Sequence, residues 1–187
     1  QRVHGEADSD HVLCCIAGKP PKGMDRKDAI RDSAAPFFNE LCRDAAADGV
    51  KIALENWFGT NIRGLDEWDL IFELCPAENF GLNYDPSHLA WMGIDHLHAV
   101  EKFADRIFHT HAKDVEIIDH VLAYKGNQNY DHWRYVIPGY GEIDWGVYTA
   151  RLRDNGFDGV LSIEHEDRAF GREEGFLAGL KYLSQFC

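Results

Sequence analysis

Five short apolar runs, each followed by an amphipathic stretch of helical length, constrain this chain more than any other feature. The runs lie at 11–17, 51–57, 80–85, 107–113 and 159–165, and their length and β-branched content suit buried strands. Helical patterns fall at 25–48, 66–74, 95–104, 144–155 and 173–186. The first has apolar residues at Ala29, Ile30, Ala34, Phe37, Phe38, Leu41, Cys42 and Ala45, and Gly49 stops it. Pro36 inside it predicts a kink or a late start. Asp66, Asp95 and Asp144 are suited to cap the helices they open. Strands alternating with helices imply a parallel sheet with helices outside it, as a doubly wound open sheet or as part of a (β/α)8 barrel.

In such a sheet the informative event is a polar residue at the end of an apolar strand. Four strands carry one: Glu55, Asp85, His111 and Glu164, at intervals of 30, 26 and 53 residues. The first two intervals are each about one βα unit. The third is one unit plus an insert around 115–135, read as a polar loop. Equivalent ends of neighbouring parallel strands converge on one face, so the four groups are expected in one pocket. Three carboxylates and an imidazole there would repel one another, and a single divalent cation resolves that repulsion. The donor set suits Mn²⁺, Mg²⁺ or Co²⁺, and the imidazole admits Zn²⁺.

Residues nearby add detail. His88 follows Asp85 by three positions and is expected to reach the pocket, while His109 and Lys113 share the face of His111 by strand alternation. Glu166 lies on the face of Glu164. Trp57, Phe58 and Trp91 follow the ligand-bearing strand ends, where aromatics can form a sugar-stacking wall. Arg134 precedes a tight turn built from Pro138, Gly139 and Gly141, and suits a hydroxyl or an anion. His4, His96 and His98 read as surface groups. No phosphate loop of the GxxxxGK[ST] or GxGxxG type occurs.

Composition narrows the function classes. With 19 Lys plus Arg against 32 Asp plus Glu, the 187-residue chain carries −13, which argues against nucleic acid or anionic membrane as a partner. No apolar run is long enough to span a bilayer, and no leader pattern points to secretion. Five cysteines without a CxxC pair read as free thiols of a cytoplasmic protein.

The segments GVKIALENW, FGLNYDPSHLAWMGID, RIFHTHAKD, IPGYGEIDW and GFDGVLSIEHED resemble the sugar phosphate isomerase/epimerase family. This is the xylose isomerase-like TIM-barrel group that includes D-tagatose 3-epimerase-like enzymes. The resemblance spans nearly the whole chain and implies an α/β fold. The expected architecture is a partial (β/α)8 TIM barrel, approximately strands 4 to 8 with their helices. A complete barrel takes about 250 residues, so residues 1–187 are expected to form one domain missing about the first three βα units. The resemblance also implies that Glu55, Asp85, His111 and Glu164 hold the metal, and that Glu55 and Glu164 act as the acid–base pair. By the same resemblance His88 and Arg134 hold the substrate, although the spacing from Arg134 to Pro138 is about one residue off. Related apurinic endonucleases add an Asp-x-His for three zinc ions, where this chain reads His132-Trp133-Arg134.

The implied activity is metal-dependent isomerisation or epimerisation of a sugar or keto-polyol, by proton transfer between two glutamates, with dehydration as a close variant. Its rivals are a zinc phosphodiesterase, and an inactive fragment or a subunit completed by a partner. A homo-oligomer is compatible with the sequence. The absence of a basic clamp favours an unphosphorylated substrate.

Overall fold

All five apolar runs become strands of one parallel sheet in the computed structural model, which describes residues 11–187. The chain opens with β1 (Val12–Ile16), α1 (Arg26–Ala29), a π-helical turn (Ile30–Ala34) and α2 (Ala35–Ala46). It continues through β2 (Lys51–Glu55), α3 (Leu65–Leu74), β3 (Phe80–Tyr84), α4 (Pro86–Trp91) and α5 (His96–Lys102). Next come β4 (Ile107–Ala112), β5 (Asp114–Ile117), α6 (Asp119–Lys125) and β6 (Trp133–Val136), then α7 (Trp145–Asp154), β7 (Leu161–Ile163) and α8 (Arg172–Leu183). The main sheet runs β1-β2-β3-β4-β7, all parallel, which makes the expected α/β part of a (β/α)8 barrel. Of the expected surface histidines, His4 lies outside the described residues, His98 is exposed and His96 is half-buried.

Burial explains the strand sequences. β3 is enclosed along its whole length, so FGLNY reads as an unbroken run rather than an alternating one. Gly81 within it has no room for a side chain, because a Cβ would sit 2.2 Å from the Arg106 carbonyl oxygen. Outside the sheet, Phe38 stacks on Phe80 at 4.9 Å, and Trp68 packs edge-on against Tyr84 and Phe103. Phe37 departs from the expected helical stripe and is 59% exposed. Of the two expected effects of Pro36, the late start is seen: α2 begins only at Ala35. The π turn precedes it, with Ala35 N–H reaching back to the Ile30 carbonyl, and Pro36 then enters α2 in the first turn, where its missing N–H costs least.

Asp95 and Asp144 cap their helices as expected. Asp66 does not: α3 starts after Gly64, whose N–H donates to Glu67 Oε2 at 2.7 Å, and Asp66 pairs with Lys27. The larger correction concerns 115–135. Instead of a polar loop, β5 and β6 form an antiparallel arm that carries α6 between them. Its polar tip hid two short alternating runs, 114–117 and 133–136, in which Val115 and Val136 are buried.

Candidate metal centre

Strand ends deliver the four expected groups to one place. Ligand atoms of Glu55, Asp85, His111 and Glu164 all lie within 4.8 Å of one another. His111 Nδ1 is 2.9 Å from Glu164 Oε2, 3.5 Å from Glu55 Oε1 and 3.8 Å from Asp85 Oδ2. The backbone at this end is braced by Asn56, which leaves the strand on the opposite side from Glu55. Its side-chain amide donates to the Asp85 carbonyl and accepts from the Asp85 N–H, both at 2.9 Å. Asp85 itself is divided. Oδ1 caps α4 by accepting from Ser87 N and Ser87 Oγ, while Oδ2 faces the pocket.

The donor set fits a divalent cation on three observations. Asp85 Oδ2 and His111 Nδ1 are buried without a hydrogen-bond partner of good geometry, which is costly unless something else satisfies them. Lys113, only 1% exposed, sets its ammonium 3.0 Å from Asp85 Oδ2, 2.9 Å from Glu164 Oε2 and 3.2 Å from Glu166 Oε1. With His111 counted as a neutral ligand, the three ligand carboxylates offset by this one ammonium leave a charge of −2, which a divalent ion would neutralise. The ion sites with such oxygen-rich, single-imidazole sets suit Mn²⁺, Mg²⁺, Co²⁺ or Zn²⁺.

Titration follows from the crowding. Burial opposes charge on His111, but the nearby carboxylates of Asp85, Glu164 and Glu55 outweigh it and raise its pKa to about 11. Burial likewise opposes ionisation of Glu55, and His111 and His88 together overcome it, lowering its pKa to about 2. Glu164 is also held below the usual carboxylate range, against burial, by His111 and Lys113. Both glutamates are therefore carboxylates at neutral pH.

Other expected residues divide clearly. His88 reaches the pocket, with Nε2 3.5 Å from Asp85 Oδ2 and 3.6 Å from Glu55 Oε1. Lys113 reaches it too, whereas the His109 ring stays outside the ligand group, 6.1 Å from that of His111. The aromatic wall is real but differently composed: Phe58 contacts Trp91, Trp133, Tyr130 and His88, and Trp91 stacks on Trp133 at 4.6 Å. Trp57 borders this wall through Phe58 and lies under Lys19. Arg134 is turned to ion pairs with Glu116 and Asp167 that tie the arm to the turn after β7.

Three contributors escaped the sequence reading. Asn83 places its side-chain amide 3.1 Å from His111 Nε2, behind the ligand. Tyr135, on the arm, meets His88 Nδ1 at 2.6 Å. Asp114 is fully buried and accepts five N–H donors: Val115, Gly139, Gly141, Ile143 and the Trp145 indole. It folds the PGYGEIDW turn over itself, and a Cβ on Gly141 would sit 2.4 Å from Asp114 Oδ1. In the HAKD run the Asp is thus a scaffold and the His and Lys face the site.

Comparison with known proteins agrees with this fold. Residues 5–186 match the model of the family described as xylose isomerase-like TIM barrel. An inosose dehydratase from Geobacillus thermodenitrificans is 32% identical over 155 residues, covering 80% of this chain and 52% of that protein. Among solved structures, a zinc-bound IolI protein superposes with a TM-score of 0.73 at 22% identity, covering 94% of this chain and 64% of the other. A D-tagatose 3-epimerase-like protein gives the same score and identity, covering 94% and 61%. The chain spans about half the length of the sequence relatives it matches.

Proposed function

The chain belongs to the xylose isomerase-like TIM-barrel family, a family of sugar-processing enzymes, and we propose that it carries the metal-dependent proton-transfer site of a sugar or keto-polyol isomerase or epimerase. The observation that carries this reading is the convergence of Glu55, Asp85, His111 and Glu164, two of them glutamates held as carboxylates. A divalent ion bound by the four would polarise a substrate carbonyl and acidify the neighbouring C–H. Glu164 or Glu55 takes that proton, and the other returns it to the opposite face or to the adjacent carbon. Lys113 holds Glu164 in place and balances charge, and His88 contacts the substrate. Phe58, Trp91 and Trp133, with Trp57 at their border, cover its carbon face.

The inosose dehydratase relative favours a second reading, loss of water from a keto-polyol, which begins with the same proton abstraction. One ligand group assembles among the described residues, which supports a single ion rather than three.

Solvent-deuterium exchange at the α-carbon of a ketohexose and of a 2-keto inositol, with Mn²⁺, Co²⁺ or Zn²⁺ added, tests the common step. Exchange is expected in the parent protein and lost in Glu164→Gln; exchange undiminished in that variant refutes the role. Enone formation separates dehydration from epimerisation.

A further inference from the structure

His88 is almost completely buried and makes contrasting contacts at its two nitrogens. Nε2 has no hydrogen-bond partner of good geometry and faces two acceptors, Asp85 Oδ2 and Glu55 Oε1. Nδ1 lies 2.6 Å from the hydroxyl of Tyr135. That contact can run either way, since a phenol donates or accepts. The acceptors at Nε2 choose between the two. A neutral imidazole has one proton, and with two carboxylate oxygens facing Nε2 that proton belongs there. Nδ1 is then a lone pair, and the Tyr135 hydroxyl 2.6 Å away donates to it. The Lys113 ammonium lies over the face of the same phenol ring, 4.4 Å from its centre.

We propose that Tyr135 is a positioning residue that holds His88 in the tautomer with its proton on Nε2, so that the pocket presents a hydrogen-bond donor beside the metal ligands. Both ends of the imidazole agree: a donor at Nδ1 and acceptors at Nε2 place the single ring proton on Nε2. The consequence is chemical. An Nε2–H aimed between Glu55 and Asp85 supports a substrate oxygen that gains negative charge, whereas the opposite tautomer would set a lone pair against that oxygen. The arm formed by β5 and β6 therefore does more than cover the pocket, because one of its side chains decides what the pocket can donate. This inference deepens the proposed function and rests on it for the identity of the oxygen, but the tautomer itself does not.

The test is nitrogen NMR of the ¹⁵N-labelled protein with Mg²⁺ or Zn²⁺, the His88 signals being assigned by their loss in His88→Gln. In the parent protein Nε2 is expected to resonate as a protonated nitrogen and Nδ1 as an unprotonated one. Tyr135→Phe keeps the ring under Lys113 and removes only the hydroxyl. It should give a mixture of tautomers and slow α-carbon exchange by about tenfold, the size of one oriented hydrogen bond. A proton on Nδ1 in the parent, an unchanged tautomer in Tyr135→Phe, or a changed tautomer with undiminished exchange would each overturn the proposal. If the parent shows no exchange at all, the proposed function fails while the NMR result still decides the tautomer.

Discussion

Two buried aspartates show how the same side chain serves structure in one place and chemistry in another. Asp114 has both oxygens saturated by five N–H donors, one from its neighbour Val115 and four from the stretch 139–145. Asp85, equally buried, satisfies one oxygen on Ser87 and leaves the other facing three more titratable groups without a well-formed hydrogen bond. Burying a carboxylate is tolerated only when its lone pairs find donors or a cation. Asp114 meets that condition by itself. Asp85 Oδ2 meets it only through the Lys113 ammonium, which it shares with Glu164 and Glu166, and this crowding marks its surroundings as the functional region.

Breaking the saturated site should have the larger effect on folding. Asp114→Ala orphans five donors and is expected to cost about 4 kcal/mol or more, read from urea unfolding. A loss under about 1 kcal/mol would mean that the PGYGEIDW turn holds itself. Asp85→Asn keeps an oxygen to cap α4, so stability should change by less than about 1 kcal/mol. Affinity for Mn²⁺ or Zn²⁺ should instead fall by about a hundredfold or more, as expected when a charged ligand is removed. Equal effects of the two substitutions on stability would erase the distinction.

The supporting residue Asn83 sharpens the comparison at the next level. If His111 held an ion through Nδ1, its proton would sit on Nε2, where the Asn83 amide, whose nitrogen lies 3.1 Å away and whose oxygen has no partner, would accept it after turning over. Asn83→Ala is expected to weaken metal binding by about 10–100-fold. Unchanged affinity would leave Asn83 a packing residue.

Much of this region was legible in the sequence, and the reason is local. Glu55, Asp85, His111 and Glu164 each interrupt an apolar strand near its end, so a single residue in its own run gives the signal. Asn83 sits in the same LNYD run as Asp85 and is hidden by it. Tyr135 acquires meaning only through His88, 47 positions away, and Asp114 only through a turn that starts 25 positions later. Partners this distant are set by how the arm folds back, and the arm was concealed by its polar tip. The parallel α/β layering was readable from periodicity and its part-barrel form from the family resemblance, while the supporting contacts required the tertiary structure.

Proton competition offers a smaller, graded probe. In the ion-free protein His111 keeps its proton up to about pH 11, so every ion bound below that displaces one. Affinity should therefore rise with pH, by about tenfold per unit for one proton released. Calorimetry in buffers of different ionisation enthalpy should count that proton. Affinity independent of pH across the neutral range would remove His111 from the ligand set.

The smallest effect should come from Arg134, which stands between the two kinds of site. It lies directly across from Glu116 in the β5–β6 register, and its guanidinium also reaches Asp167 at 3.2 Å. Asp167 is buried like Asp114, but it keeps backbone donors from Ile137 and Ala169 when the arginine is removed. With the guanidinium side chain 48% exposed, the pair is weakened by solvent. Arg134→Ala should thus cost about 1 kcal/mol in unfolding and leave KM unchanged. The family resemblance assigns this residue to the substrate, and on that assignment KM would rise with little change in stability. The two outcomes exclude each other, so one variant measured both ways decides whether Arg134 clasps the arm or holds the ligand.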